Sequence, residues 1–315
     1  MNSHTQYMIA PEIFSRKDYP PLTSANVDEW TIVAGESVEQ PGGFAWSPSG
    51  AAWSAYRDVV LIAHGRRHIL SGHADYIARI TFRSDGQWLA SASHDTSVRV
   101  WDVLSCREQV KLIADPYMAR GVSFNADGTY LASCGGDKLP VHLWNVIEGR
   151  EIRQFDVPES DSFQSVVFTP RGDCLAACDL TGKVVLWDSE SGDVIAVGQH
   201  PDMAMAVSIS PDGSKLASVG QDGSVKLWNI PSLTLHTEFR VDEGVFSVAF
   251  HPSGNLLIAG DGLGRLHVWN LINNRLIRTV SVQTDLISSV SLNPSGTLLA
   301  SVSMDGSIKI LGSNL

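Results

Sequence analysis

The sequence predicts an all-β fold: a seven-bladed propeller of four-stranded antiparallel blades, its last blade closed by an N-terminal strand. Three observations predict it. The stretch Asp222-Gly-Ser-Val-Lys-Leu-Trp228-Asn229 recurs as Asp95-Thr-Ser-Val-Arg-Val-Trp101-Asp102. Looser copies end at Trp144, Trp187 and Trp269, and a worn one at Leu311, spaced 43, 43, 41, 41 and 42 residues apart. A period near forty that ends in Trp-Asp is that of a propeller blade. Finally, a tight-turn glycine appears seven times, at Gly50, Gly86, Gly128, Gly172, Gly213, Gly254 and Gly296, with Pro two residues earlier in five of them. Pro presets φ and Gly supplies the positive φ of a reversal.

Taken in order, residues 1–27 carry Pro11, Pro20 and Pro21 and no clear period, and read as an irregular extension. Residues 28–315 read as the propeller. Glu29 to Ala34 is a short β-branched strand ended by Gly35. Each later unit has a strand, a Gly turn, a second strand such as Lys215–Val219, a tight turn, and a third strand such as Ser224–Trp228. A more polar fourth strand follows, such as Leu233–Phe239. Charge on the fourth strands (Arg107–Lys111, Glu151–Gln154, Arg275–Arg278) suits an outer edge that must not pair with another molecule. The seventh unit lacks a fourth strand, and Glu29–Ala34 is the spare that would latch the ring. In the third unit Asp137-Lys-Leu-Pro140 adds a residue, and Pro140 cannot donate to a ladder, so a bulge is expected there.

Composition narrows the function. The net charge of −11 lacks the basic footprint that nucleic acid requires. Four cysteines in 315 residues make no disulfide framework, and Cys174 and Cys178 share one strand face as small buried hydrophobes. No metal-ligand spacing appears among the ten His, and no cofactor is expected. The N-terminus has no secretory pattern and no apolar run is long enough to span a membrane, so a cytoplasmic protein is expected. The run His64, Arg66, Arg67, His68 reads as a solvated connection between strands rather than a phosphate site. Gly260-Asp-Gly-Leu-Gly264 has no following helix to make a phosphate loop.

These residues resemble the WD40 repeat family over about residues 28–315. The resemblance implies a WD40-type propeller and a buried bracing network of His, Ser, Asp and Trp in each blade. By it, blade two carries His73, Ser91, Asp95 and Trp101, and blade five His200, Ser218, Asp222 and Trp228. Thr181 and Leu263 replace the turn Asp in blades four and six. Asp115, Glu159, Val241 and Gln283 stand at the His position, and Ile62 and Leu311 at the Trp position. A His-Ser-Asp set also matches a hydrolase triad, but a nucleophile would occur once, in a cleft, and not blade after blade beside an indole donor.

The resemblance further implies a non-catalytic scaffold that binds a protein or peptide on the top face, alone or within a larger assembly. Carried over, that face presents Tyr76 and His94, Met118 and Arg120, Met203, Met205 and Gln221, Phe246, and Leu286 and Met304. Four of the six methionines fall in this list, and Met is over-used at adaptable surfaces. Either these side chains form a binding floor or they fill the channel mouth and pack under the extension. The surrounding loops carry Asp75, Asp115, Glu159, Asp161, Asp202, Asp242, Glu243 and Asp285. They are either ordinary solvated charge or a rim that favours a basic, apolar-anchored peptide. The alternative from a different class is a hydrolase- or lactonase-like enzyme at the channel mouth.

Overall fold

A computed structural model describes residues 9–14, 19–113 and 118–313. Asp115 therefore lies outside the described residues. The described chain forms seven four-stranded antiparallel sheets. Blades one to six are contiguous in sequence, each running inner strand, second, third, outer strand. The inner strands are Phe44–Ser47, Ile77–Phe82, Ala119–Phe124, Phe163–Phe168, Ala204–Ile209, Val245–Phe250 and Ile287–Leu292. Sheets packed on both faces need apolar second and third strands. Cys174–Asp179, Leu256–Asp261 and Leu298–Ser303 are accordingly buried along their whole length.

Blade seven takes its outer strand from the other end of the chain. Trp30–Ser37 pairs antiparallel with Ser307–Ser313, in register from Trp30↔Ser313 to Ser37↔Ser307. The strand runs past Gly35, where the sequence had ended it. The reason is Glu36, which is 8% exposed and held by Arg67 (Nη1 2.9 Å, Nη2 2.6 Å) and the Ile9 amide. The described parts of residues 9–29 form two short 3-10 turns, at Pro11–Phe14 and Val27–Glu29. Ile9 is buried between blades one and seven and Leu22 between blades six and seven, and Leu22 N donates to Gly296 O on the bottom turn of blade seven.

Four sequence expectations need correction. Gly50 does not occupy a turn at positive φ; it opens the second strand of blade one opposite Ser47. Its conformation is ordinary, but a Cβ there would stand 2.0 Å from Ile62 O, so close packing requires the glycine. The other six turn glycines have φ between 68 and 76°. No bulge marks Pro140: the ladder between Tyr130–Gly135 and Val141–Asn145 is regular. The loop absorbs the extra residue through Gly136 and Lys138, both at positive φ. The basic run is not a connection, since Arg66–Ser71 is the outer strand of blade one. Last, the outer strand of blade four, Val194–Gln199, carries no charge, and Val194, Ile195 and Val197 are exposed.

The bulges lie elsewhere. In blades two to seven the inner strand slips by one residue near its start, between Ile77 and Arg79 in blade two and at the matching places in the others. The residue left over is Ala78, Arg120, Gln164, Met205, Phe246 or Ser288; by register blade one places Gly42 there. A bulge re-aims a side chain, and here it does so at the same height around the ring.

Candidate interaction face

The top loops repeat one backbone device. The residue that follows the second strand donates its N–H to the carbonyl of the residue before the inner strand. His94 pairs so with Tyr76 (2.8 Å), Gly136 with Met118 (3.0 Å), Gln221 with Met203 (3.0 Å), Gly262 with Gly244 (3.0 Å) and Met304 with Leu286 (2.9 Å). The ten top-face residues named from the sequence therefore fall on three equivalent places in each blade. Tyr76, Met118, Met203 and Leu286 precede inner strands. His94, Gln221 and Met304 begin the tight turns. Arg120, Met205 and Phe246 are the bulged residues of the inner strands.

The composition of these places divides the face. From blade five to blade seven it is mainly apolar, with Gln221 and Ser288 the polar exceptions: Met203 and Met304 are 36% and 52% exposed, with Met205, Phe246 and Leu286 half-buried beside them. Blade six has glycine at both loop places. A Cβ on Gly244 or Gly262 would approach Phe246 Cε2 to 3.3 or 3.2 Å, so the two glycines leave room for the ring. Blades two and three are polar apart from Met118, which is 41% exposed. Tyr76 and His94 meet edge to face with centroids 5.0 Å apart, and Arg120 Nη1 donates to Gln164 Oε1 at 3.0 Å. Burial, then the positive charge of Arg120, holds His94 below its usual pKa.

The loop acids have structural tasks as well as charge. Asp75, Asp202 and Asp285 each accept the next residue's N–H, at 2.7, 2.8 and 2.7 Å. Asp242 is paired with Arg265 at 2.9 Å. Asp75, Asp202, Glu243 and Asp285 remain exposed without an ion-pair partner among the described residues.

Beneath the face lie the bracing networks. In blade two His73 Nδ1 is 2.9 Å from Asp95 and its Nε2 2.7 Å from Ser91 Oγ, which also accepts Trp101 Nε1–H at 2.9 Å. Blade five repeats this with His200, Ser218 and Trp228, at 2.7 Å from His200 to Ser218 and 2.8 Å from the indole; Asp222 is a looser 3.4 Å from the ring. Ser91 and Ser218 have no exposed surface, so no substrate reaches either hydroxyl. Burial lowers the pKa of both histidines against the opposing pull of their aspartates.

Several residues were not found from the sequence. Asp179 and Asp261, two residues before Thr181 and Leu263, hold the tight-turn amides of blades four and six and have no exposed surface. Leu263, freed from that task, is 53% exposed at the turn. Gln164 and Arg79 join the channel mouth through the bulge register, which no sequence period carries. Cys134 and Cys174 are buried thiols pushed up to about 12 and about 11, and Cys178 is raised well above the usual value. Among the described residues no group of three or more His, Cys, Asp or Glu could hold a metal ion. No helix there is long and apolar enough to cross a membrane.

The family model described as "WD domain, G-beta repeat" matches residues 65–102, 149–188, 193–229, 232–270 and 274–310, more than half of the chain. Among similar curated proteins, WD repeat-containing protein VIP3 of Arabidopsis thaliana is 28% identical over 137 residues, 40% of this chain and 43% of that protein. Protein LST8 homolog of Drosophila melanogaster is 31% identical over 128 residues, 37% of each chain. Small ribosomal subunit protein RACK1y of Oryza sativa is 29% identical over 122 residues, 38% of this chain and 35% of that protein. The matches span less than half the length of these relatives. Five matched repeats and seven four-stranded blades, five of them with a Trp near the end of the third strand, place this chain in the WD40 repeat family.

Proposed function

We propose that this chain is a non-catalytic interaction platform that binds a protein segment on its top face and works in the cytoplasm. The observation that carries the reading is the apolar arc of blades five to seven, where Met203, Met205, Phe246, Leu286 and Met304 occupy equivalent loop and bulge places. Exposed apolar side chains gathered in one arc suit a partner contact, and methionine adapts to irregular surfaces. The described part of the extension packs at the seam, against blades six and seven and on a bottom turn. The exposed acids around the arc suit a partner with Lys or Arg flanking an aliphatic or aromatic anchor. The printed name of one relative makes it a ribosomal subunit protein, which supports membership of an assembly for this chain as well.

The test compares partners captured by the wild-type chain with those captured by a Met205→Glu, Phe246→Glu variant of equal melting temperature. Loss of one defined set of proteins only with the variant is expected. Retention of the same set by both baits would move the site to another surface. Binding of a partner found in this way should weaken with salt, and a salt-independent affinity would remove the acidic rim from the account.

A further inference from the structure

The channel mouth is not apolar throughout. Arg79, on the inner strand of blade two, and Arg120, at the bulge of the neighbouring inner strand, stand one register step apart. Arg79 Nη1 donates to the carbonyls of Gly42 (3.2 Å) and Ala78 (3.3 Å). Arg120 Nη1 donates to Gln164, and its Nε is buried with no partner. Neither guanidinium has a carboxylate partner among the described residues, although the chain has 34 acidic residues to 23 basic ones. Elsewhere Arg67 is paired with Glu36, Arg83 with Asp85, Arg99 with Glu108 and Arg265 with Asp261. Burial lowers the pKa of Arg79, and its charged surroundings consist of Tyr76, Cys134 and Cys178, which are neutral at neutral pH.

Both side chains are half-buried, and a guanidinium partly removed from water without an anion is a cost to the fold. The same group is well suited to take two oxygens of one carboxylate in a forked, charge-assisted pair. We propose that the blade two–blade three side of the channel mouth is a carboxylate subsite, filled by an Asp or Glu side chain of the same partner segment whose apolar anchor lies on Met205 and Phe246. This rests on the top-face reading above and adds its chemistry. The bulge ring reads Ala78, Arg120, Gln164, Met205, Phe246 and Ser288 in blade order, so its cationic and apolar portions are separated around one opening. Outside that ring stand the acids of the loops. The complementary segment is zwitterionic: an acidic residue and an apolar residue at short spacing in the centre, with basic residues at its flanks. A uniformly basic peptide would satisfy the rim and leave Arg79 and Arg120 desolvated against it.

A random displayed-peptide library selected on the wild-type chain tests this, followed by titration of one selected peptide and its acid-to-amide form (Asp→Asn or Glu→Gln). Expected is enrichment of an acidic residue at fixed distance from an apolar one. The amide peptide should bind about tenfold or more weakly, the scale of a lost charge-assisted hydrogen-bond pair. Arg79→Met and Arg120→Met should remove the difference between the two peptides while both still bind through the apolar anchor. The peptide substitution on the wild-type chain is decisive even if a protein variant fails to fold. Enrichment of apolar residues without an acid overturns the subsite and leaves the face intact. Enrichment of nothing overturns the face and the subsite with it. Inorganic phosphate bound by the wild type but not by Arg120→Met, with no acidic peptide selected, overturns the peptide occupant in favour of a free anion.

Discussion

Blades two and five brace themselves with polar networks; blade four does not. At the place of Ser91 and Ser218, blade four has Ala177, and among the described residues no histidine ring stacks on its tryptophan. Trp187 instead donates to Asp156 O at 3.3 Å and lies between Phe155 and Phe163, with ring centroids 5.8 and 5.7 Å away. Blade six has made half of the same change. Ala259 takes the serine place, and Trp269 stacks on Phe239 and His267 at 5.3 and 5.7 Å. In both blades the phenylalanine on the outer side comes from the preceding blade, so bracing has moved from within a blade to the contact between blades. One indole thus has two solutions: a satisfied set of hydrogen bonds or aromatic packing with a single backbone acceptor. In blade four the aromatic one uses no buried histidine among the described residues.

The comparison can be broken most strongly at its aromatic end. Trp187→Ala should cost about 3–5 kcal/mol, the range for a large buried aromatic, read as the shift in denaturant midpoint at constant slope. Next, Ser218→Ala leaves the indole N–H of Trp228 and a ring nitrogen of His200 unpaired, and should cost about 1–3 kcal/mol. The reverse exchange, Ala177→Ser, should also destabilise, by about 1–2 kcal/mol, because its hydroxyl is buried where the indole is already satisfied. A neutral or stabilising outcome would mean that the two solutions are interchangeable within one blade.

The fourth test uses pH. His73 and His200 are held below the usual histidine value, so the unfolded chain binds protons that the folded chain refuses. Stability contributed by these neutral rings is therefore complete above about pH 6.5 and is lost as the pH falls below it. The aspartates, whose folded pKa values are lowered, lose their contribution only below the ordinary carboxylate range. For Asp261, lowered to about 2, the loss continues until that value is passed. Blade seven shows how to remove the histidine without removing the network. Gln283 there bonds both Ser301 and Ser307. His200→Gln should fold, and its thermal stability should fall less between pH 7 and 5 than that of the wild type. Equal slopes would mean that other histidines dominate. The smallest effect is expected on the top face, where Met304→Glu, at a side chain 52% exposed, should leave the melting temperature within about 2 °C.

Most of the scaffold was legible because its signals are local. Trp spacing, Gly turns and the missing fourth strand of the last repeat all survive without knowledge of neighbours. What escaped was set by register or by three-dimensional exchange. One slipped residue per inner strand decides that Arg120 and Gln164 meet in the channel mouth, and alternation in the sequence does not reveal a slip. The aspartate of blades four and six moved two positions along the strand, and its place in the repeat pattern then looked empty. Gly50 fitted a turn motif, yet its partner Ile62 O made it a packing residue. Charge was the weakest guide: the loop acids are evident in the sequence, but the two unpaired arginines inside them are visible only when the blades are assembled.

The pairing of Trp30–Ser37 with Ser307–Ser313 has a consequence for biogenesis. Of the described strands, the one synthesised first finds its partner in the one synthesised last. Blades one to six each hold four strands adjacent in sequence and can form as the chain emerges. The final ladder closes a loop of almost the entire molecule, the kind of distant contact that folds slowly. Its supports are one bulged ladder, the Arg67–Glu36 pair, the contact of Arg278 with the Val27 carbonyl and the burial of Ile9, Leu22, Val27 and Trp30, none of which exists until both ends of the ring have been made. The ring therefore has a joint, and under heat or mechanical load this joint is where the circle should open first.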